Sequence, residues 1–220
     1  MQRQIERIRQ GVSKWGFRRT LWAAVMRRLS PWLIFCQVRM RPIQHASEHL
    51  SASAEFTTRI ATEDDLAQAC SEMSDQLSQD FVDAAFMRGD ICCAVFKGPR
   101  MVCFQWSSFA TAPVAQGLWV EFNKRYRYGY KTFTRPEYRG RRLSGMVNRF
   151  DDAQCNARGC THTISYVETH NYASLAFGER LGNQRVGYAG YVRLFNRTYP
   201  FRTTGVKRHG FRFYRRESQD

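Results

Sequence analysis

The chain has 220 residues, and 34 Lys and Arg against 19 Asp and Glu give it a formal net charge of +15. Hydrophobic residues at 43% and aromatic residues at 14% suffice for a packed core, which excludes a disordered chain. No apolar run approaches the roughly 20 residues of a membrane-spanning helix, and no cleavage site follows the apolar stretch 21–26, so we expect neither a transmembrane segment nor a secretory signal.

The seven cysteines predict reduced thiols rather than a disulfide framework. Their number is odd, Cys92 and Cys93 are adjacent, and no CxxC or Cys/His ligand spacing is present. We therefore expect a cytoplasmic protein without a metal site.

The positive charge is concentrated at the two ends of the chain. Residues 1–45 contain ten Lys and Arg and one acid, residues 197–220 contain seven against two, and residues 46–196 have a net charge of only +1. This pattern predicts a basic N-terminal helix and strand (1–45), a linker (46–56) and a nearly neutral domain (57–197). It also predicts a basic C-terminal extension (198–220), either a tail or a last strand of the domain.

The N-terminal segment has the pattern of a basic amphipathic helix. Apolar residues recur every three or four positions from Ile5 to Leu29, a break is expected near Gly11 or Gly16, and the helix ends before Pro31. Two interpretations stay open: attachment to an anionic membrane surface or acidic partner, and packing of the helix on its own domain with solvated arginines.

The rest of the sequence alternates predicted strands and helices. The predicted strands are 33–41, 57–60, 91–96, 101–107, 126–134, 161–167, 186–195 and 210–214, and the predicted helices are 62–77, 80–88, 142–158 and 171–181. This order predicts a mixed α/β fold of the α+β type.

Residues 131–144 combine a strand end, an Arg- and Gly-rich turn and the start of a helix. The first turn of a helix offers unpaired backbone N–H groups and a partial positive charge. Gly140 lets that backbone approach a ligand, and Arg139, Arg141 and Arg142 add charge. The pattern is typical of a pyrophosphate site, and equally of a solvated turn before a helix.

A second segment, after one more predicted strand, distinguishes these alternatives. The turn TRPEYRGRRLS (134–144) and the helix NYASLAFGERLG (171–182) together resemble the GCN5-related N-acetyltransferase (GNAT) superfamily over about residues 57–197. The resemblance implies a mostly antiparallel, splayed central sheet flanked by helices. It also implies acetyl-CoA or another acyl-CoA as the cofactor.

The resemblance further implies which residues hold the cofactor. The backbone of residues 139–144 would bind the pyrophosphate, the backbone of Phe133 and Thr134 would pair with the pantetheine arm, and Asn171 would bond the arm from the other side. The full predicted cofactor set is Phe133, Thr134, Arg139, Gly140, Arg141, Arg142, Leu143, Ser144, Asn171, Ser174 and Phe177.

Three positions depart from the family pattern. Arg142 replaces a usual glycine, and Asn183 replaces the usual aromatic residue after the final glycine of the helix motif. Gly178 replaces the tyrosine that often protonates the leaving thiolate, so that acid is absent.

Candidate acids and bases must then come from elsewhere. Glu168 ends the strand before Asn171, His170 follows it, and Tyr172 is a substitute for the missing acid; Glu121 precedes the aromatic strand 126–134. Each also has a structural interpretation, as a solvated carboxylate, a cap neighbour or a packing ring.

The leading functional hypothesis is acyl transfer from acyl-CoA to a small-molecule or protein amine by direct attack on the thioester. A second hypothesis is synthesis of long-chain N-acyl amino acids from an acidic acyl carrier protein, which suits the basic ends and places the protein at the inner membrane surface. A third is a degenerate fold that binds an anionic partner. Since no nucleic-acid motif is present, a membrane surface or acidic carrier is favoured over DNA or RNA.

Overall fold

The computed structural model describes residues 2–43, 55–115, 117–195 and 197–216. The chain divides into two compact units. The first unit consists of residues 1–40, 113–121 and 166–220, and the second unit of residues 41–112 and 122–165. Each unit thus combines separate stretches of the chain. The sequence analysis instead divided the chain into consecutive segments, and the boundaries of those segments stay a prediction. Residues 46–54 of the predicted linker lie outside the described residues.

The fold class is confirmed: helices flank a mostly antiparallel central sheet. The helices are α1 Gln2–Trp15, α2 Phe17–Leu29, α3 Glu63–Glu72, α4 Gln79–Met87, α5 Leu143–Ala157, α6 Tyr172–Arg180 and α7 Thr204–Arg208. The strands are β1 Leu33–Pro42, β2 Thr57–Ile60, β3 Ile91–Lys97, β4 Arg100–Ser108, β5 Thr111–Ala115, β6 Leu118–Glu121, β7 Tyr126–Thr134, β8 His162–Glu168, β9 Gln184–Leu194, β10 Arg197–Arg202 and β11 Arg212–Arg215.

The sequence analysis missed β5, β6, β10 and α7. Pro113 lies in β5 and Pro200 in β10, and a proline inside an apolar run argues against a strand. Both are edge strands of their sheets, where a missing N–H donor is tolerated. Predicted helix 62–77 is longer than the observed α3, which begins after the capping box of Thr62 and ends at Glu72.

In the second unit, β2, β3, β4 and β7 form antiparallel pairs in that order, and β7 pairs in parallel with the first half of β8. Six of the seven residues of β3 are buried, because each face of this strand belongs to a separate hydrophobic cluster. Cys92 packs with α3 and α4, and Cys93 packs with α5. Both adjacent cysteines are therefore core residues.

A buried ionic network lies beneath α5 in the same unit. Arg127 is fully buried and pairs with Asp151 and with Asp152, the latter at 2.6 Å. Arg41 donates to both oxygens of Asp152 at 2.5 and 2.9 Å, and Gln105 donates to Asp151 at 2.5 Å. Two arginines and two aspartates balance in charge, which is the condition for burying them.

In the first unit, β9 pairs with β1 and β10, and the C-terminal strand β11 pairs with β6. The N-terminal helix breaks at Gly16, whose φ of 82° favours glycine. Helix α2 contacts the rest of this unit through Trp22. The Trp22 indole donates to Thr169 Oγ1 at 3.2 Å and meets the Phe35 ring edge-on.

Candidate functional site

The arginine turn, residues 139–144, lies in the second unit, follows a short 3₁₀ helix, Pro136–Tyr138, and includes the first two residues of α5. Gly140 has φ 82°, and Arg142 adopts the left-handed conformation with φ 60° immediately before the first helical residue. These two positions turn the backbone so that the helix begins without a side-chain cap. This conformation costs a non-glycine residue such as Arg142 about 1–2 kcal/mol.

Consecutive backbone donors line the arginine turn. Within the described part of the chain, the N–H groups of residues 140–144 donate to no acceptor, while those of Gly145 and Met146 bond to Arg142 O at 2.9 and 3.2 Å. Nothing lies within 4 Å of the place a Gly140 Cβ would take, so the outer side of the turn is open to a ligand. Unsatisfied donors at the positive end of a 15-residue helix favour an anion.

The arginines of the turn are exposed and differ in their partners. Arg139 donates to Thr134 O at 3.3 Å, and Arg141 reaches Glu55 at 3.4 Å while its guanidinium lies 5.6 Å from the Tyr138 ring centre. Among the described residues, Arg142 has no ion pair, so its charge is available to a phosphate. Two residues hold the turn in place. Leu143 is buried, and the Ser144 hydroxyl lies 3.1 Å from Thr134 Oγ1.

The strand that precedes the turn has one unpaired edge. The described pairing of β7 with β8 covers only Tyr126 to Tyr128, so along residues 129–134 the edge opposite β4 has no described strand partner. Phe133 and Thr134, the predicted pantetheine contacts, belong to this stretch. An unpaired edge presents N–H and C=O groups to an extended ligand.

A bulge interrupts β7 within that stretch. Phe104 pairs with Phe133 and Trp106 with Tyr130, so β7 has one extra residue, and Lys131 takes φ 47°. The Lys131 ammonium lies 4.4 Å from the Phe81 ring centre, and partial burial lowers the pKa of its amine.

The other predicted residues, Asn171, Ser174, Phe177 and the four candidate catalysts, belong to the first unit. Asn171 caps α6, its Oδ1 accepting the Ser174 N–H at 3.2 Å, which leaves the Asn171 amide N–H₂ for a ligand. Ser174 and Phe177 are half-buried on α6. Their association with the arginine turn in a single site stays a prediction.

Glu168 and His170 form a close polar pair. The His170 Nε2 lies 3.0 Å from Glu168 Oε2, and the imidazole is only 14% exposed. An ionised Glu168 requires the proton on Nε2, which leaves Nδ1 of a neutral ring as an acceptor. No described residue bonds to this Nδ1, although it is buried. A carboxylate that orients an imidazole in this way is typical of general bases.

Tyr172 and Glu121 are engaged in structural contacts. The Tyr172 hydroxyl donates to Arg19 O at 3.0 Å, its ring centre lies 5.7 Å from that of Trp15, and burial raises the pKa of the phenol. Glu121 accepts from Arg212 Nε at 2.6 Å across the β6–β11 pair. Their catalytic roles stay predictions, without support from these contacts.

Two polar side chains lie close to Gly178. A Cβ on Gly178 would lie 3.2 Å from Asn183 Nδ2 and 3.8 Å from Arg39 Nε. Arg39 is buried and donates to Asn183 O at 2.7 Å and to Glu179 at 3.3 Å. A side chain at position 178 would therefore meet the Asn183 amide first.

Sequence reasoning missed a buried polar cluster in the second unit. The Tyr130 hydroxyl donates to Asp90 Oδ2 at 2.6 Å, and Arg88 donates to the same oxygen at 2.9 Å. Asp90 is buried, and its Oδ1 has no partner among the residues described. No local motif signals this contact, since 40 positions separate the two residues.

A cavity of about 460 Å³ lies in the first unit, along the basic C-terminal segment. Its lining includes Arg202, Lys207 and Arg212 beside Phe201 and Tyr214.

The described residues contain no helix long and apolar enough to cross a membrane, and no group of three His, Cys, Asp or Glu side chains arranged for a metal.

No protein-family model matches the chain, and no curated protein sequence is similar to it. Solved structures are similar in fold. A Drosophila protein aligns with 74% of this chain and 52% of its own, at 12% identity and a TM-score of 0.50. A GNAT-family acetyltransferase from Novosphingobium aromaticivorans, so assigned provisionally, aligns with 70% of this chain and 60% of its own, at 15% identity and a TM-score of 0.46.

The enzyme AAC(6')-Iy, solved with the bisubstrate analogue CoA-S-monomethyl-acetylneamine, aligns with 59% of this chain and 90% of its own. The identity is 14% and the TM-score is 0.45. At such low identity these likenesses concern the fold and not the substrate.

Proposed function

We propose that this chain, which has the fold of the GCN5-related N-acetyltransferases, transfers an acyl group from a CoA thioester to an amine. One observation carries the proposal: consecutive unbonded N–H groups begin α5 at a turn with three exposed arginines. A pyrophosphate supplies the anionic oxygens that such donors bind.

The residues of the second unit fit coenzyme A. The arginine turn would hold the pyrophosphate, with Arg139 and Arg142 as the side chains that pair with no described acid. The unpaired edge of β7 at Phe133 and Thr134 would bond the amides of the pantetheine arm. When bound, the thioester supplies an activated acyl carbon.

The first unit supplies the acid–base chemistry in this proposal. An amine attacks a thioester only when it is neutral, so a base must accept its proton. Nδ1 of His170 is the candidate acceptor, with the proton of the neutral ring on Nε2 beside Glu168 in this proposal. Asn171, with its amide N–H₂ not used by the helix cap, is a candidate donor to the cofactor arm.

Direct binding of CoA tests the cofactor site. We expect Arg142→Gln to weaken CoA binding in calorimetry by about five- to tenfold, because one charge-assisted contact to phosphate is lost. Arg149→Gln is the matched control, since Arg149 is exposed on the same helix beyond its first turn. Equal affinity of both variants, or no CoA binding by the native protein, would contradict the site.

Release of free CoA with a panel of amines tests the chemistry. His170→Gln should lower kcat by about 10²–10⁴-fold without changing CoA affinity. Glu168→Gln should shift the pH profile of kcat/KM, because the imidazole loses its orienting carboxylate. An unchanged kcat in both variants would remove the pair from the mechanism.

Donor choice distinguishes the remaining hypotheses. Turnover with acetyl-CoA supports the simple acetyltransferase, and turnover only with long-chain acyl carrier protein supports an N-acyl amino acid synthase. CoA binding without turnover of any donor would support a binding module instead of an enzyme.

A further inference from the structure

Helix α2 exposes a row of large apolar side chains. Phe17, Leu21, Val25 and Leu29 follow one another at intervals of four residues, and we call them the apolar stripe. Their exposed fractions run from 69% at Phe17 to 38% at Leu29. Large apolar residues at regular helical spacing normally face a core. These do not.

The stripe lies opposite the face by which α2 packs on its own unit. The buried residues of α2 are Thr20, Ala23 and Met26. At about 100° of rotation per residue, the mean direction of the stripe is roughly 180° from that of this buried face. The helix is therefore apolar on two opposite sides, and intramolecular packing accounts for only one of them.

The turn between β9 and β10 adds a second exposed apolar element to the first unit. Leu194 is 51% and Phe195 97% exposed, and Phe195 is held with φ 47°. The short segment between α2 and β1 is bonded to this hairpin, because Arg193 N donates to Trp32 O at 2.7 Å. Trp32 itself is 56% exposed.

The charges that neighbour these elements in the sequence have a single sign. Residues 7–47 contain nine Lys and Arg and no acid, and residues 181–216 also contain nine and no acid. Arg27 and Arg28 lie in the last turn of α2, and Arg193 and Arg197 flank the hairpin turn. Apolar side chains and a tryptophan among arginines have the composition of surfaces that enter the headgroup region of anionic membranes.

We propose that the apolar stripe and the β9–β10 turn together bind the surface of an anionic lipid bilayer, with Phe195 and the stripe entering the headgroup boundary and the arginines contacting lipid phosphates. The proposal is independent of the acyltransferase activity, because none of these residues belongs to the candidate cofactor or catalytic set.

Co-sedimentation with vesicles tests this surface. The full chain should bind phosphatidylcholine vesicles containing phosphatidylglycerol and bind pure phosphatidylcholine much more weakly. Raising the salt from about 0.05 M to about 0.5 M should reduce the binding, since it screens the arginines. The double variant Leu21→Ser/Phe195→Ser should lower the vesicle partition coefficient about tenfold or more.

Two matched controls make the test specific. Met87→Ser removes an apolar side chain that is 89% exposed in the second unit, and it should leave the partition coefficient unchanged. Arg28→Gln should lower binding about fivefold, while Arg149→Gln should not. CoA affinity should be equal in all four variants, so failure here is separable from failure of the cofactor site.

Three outcomes would overturn the proposal. One is no binding of the native chain to anionic vesicles. Another is undiminished binding by the double variant. The third is a change of molecular mass in light scattering with Leu21→Ser/Phe195→Ser, without a change in vesicle binding, which would make the surface a contact between copies of the chain.

Discussion

The two units differ in how many charged side chains they bury and how many apolar side chains they expose. Six charged side chains are buried in the second unit, against Arg39 alone in the described part of the first. Of the twelve large apolar side chains that are exposed among the described residues, ten belong to the first unit. Only Ile60 and Met87 belong to the second. The second unit uses internal charges to hold its own fold, whereas the first unit presents apolar side chains outward.

The largest expected effect comes from breaking the buried network of the second unit. Asp151→Ala leaves Arg127 buried with half of its partners, which should lower the free energy of unfolding by about 3–5 kcal/mol. Glu121→Ala removes the exposed pair with Arg212 in the first unit and should cost at most about 1 kcal/mol. Urea unfolding measures both, and similar losses would contradict the contrast between the units.

Alkaline pH should destabilise the protein mainly through the second unit, which contains six of the seven cysteines. Burial raises the pKa of the Cys103 thiol to about 11. The thiol of the unfolded chain ionises near its ordinary pKa, whereas the buried thiol stays neutral. The stability that this difference contributes to the fold is present below about pH 8.5 and is lost as the pH rises towards 11.

For Cys103 alone the loss amounts to roughly 2–3 kcal/mol. Unfolding free energies at about pH 7, 9 and 10 measure this loss. The variant Cys103→Ala should show a shallower decline, and a flat profile in the native protein would refute the assignment.

Arg142→Gly should raise stability by about 1 kcal/mol, because glycine adopts φ 60° without strain. The same change should weaken CoA binding, so stability and affinity move in opposite directions. Thermal unfolding and calorimetry measure the two effects.

Phe195→Gly is the counterpart of that variant in the first unit, with φ 47° at the substituted position. It should also gain stability but lose vesicle binding instead of CoA binding. Loss of the same ligand by both variants would show that the two units do not act separately.

The smallest effect is expected for the apolar stripe. Leu21→Ser should change the free energy of unfolding by no more than about 0.5 kcal/mol, because Leu21 is 53% exposed. A loss above about 2 kcal/mol would show that the stripe is packed in solution.

Short-range features could be predicted from the sequence. The Thr62 cap of α3, the start of α5 after the arginine turn and the Asn171 cap of α6 each depend on contacts within a few residues. The predicted strand Tyr126–Thr134 has the bounds observed for β7, because its aromatic and polar residues alternate.

The missed features depend on contacts between distant residues. Arg41 and Asp152 are 111 positions apart, and Tyr130 and Asp90 are 40 apart. Neither pair has a local signal, because an isolated charged residue in a sequence is typical of a solvated surface. Gly178 was recognised as a departure, but its neighbours Asn183 and the buried Arg39 on β1 are seen only in the tertiary structure.

The sequence by itself determined the order of most elements, the arginine turn and the concentration of charge at the two ends, because periodicity, caps and composition are local properties. Only the tertiary structure decided which charges are buried in pairs. It also decided that α2 is apolar on two opposite faces, one packed and one exposed. Burial depends on what lies across the molecule from a residue, and that neighbour is set by the fold.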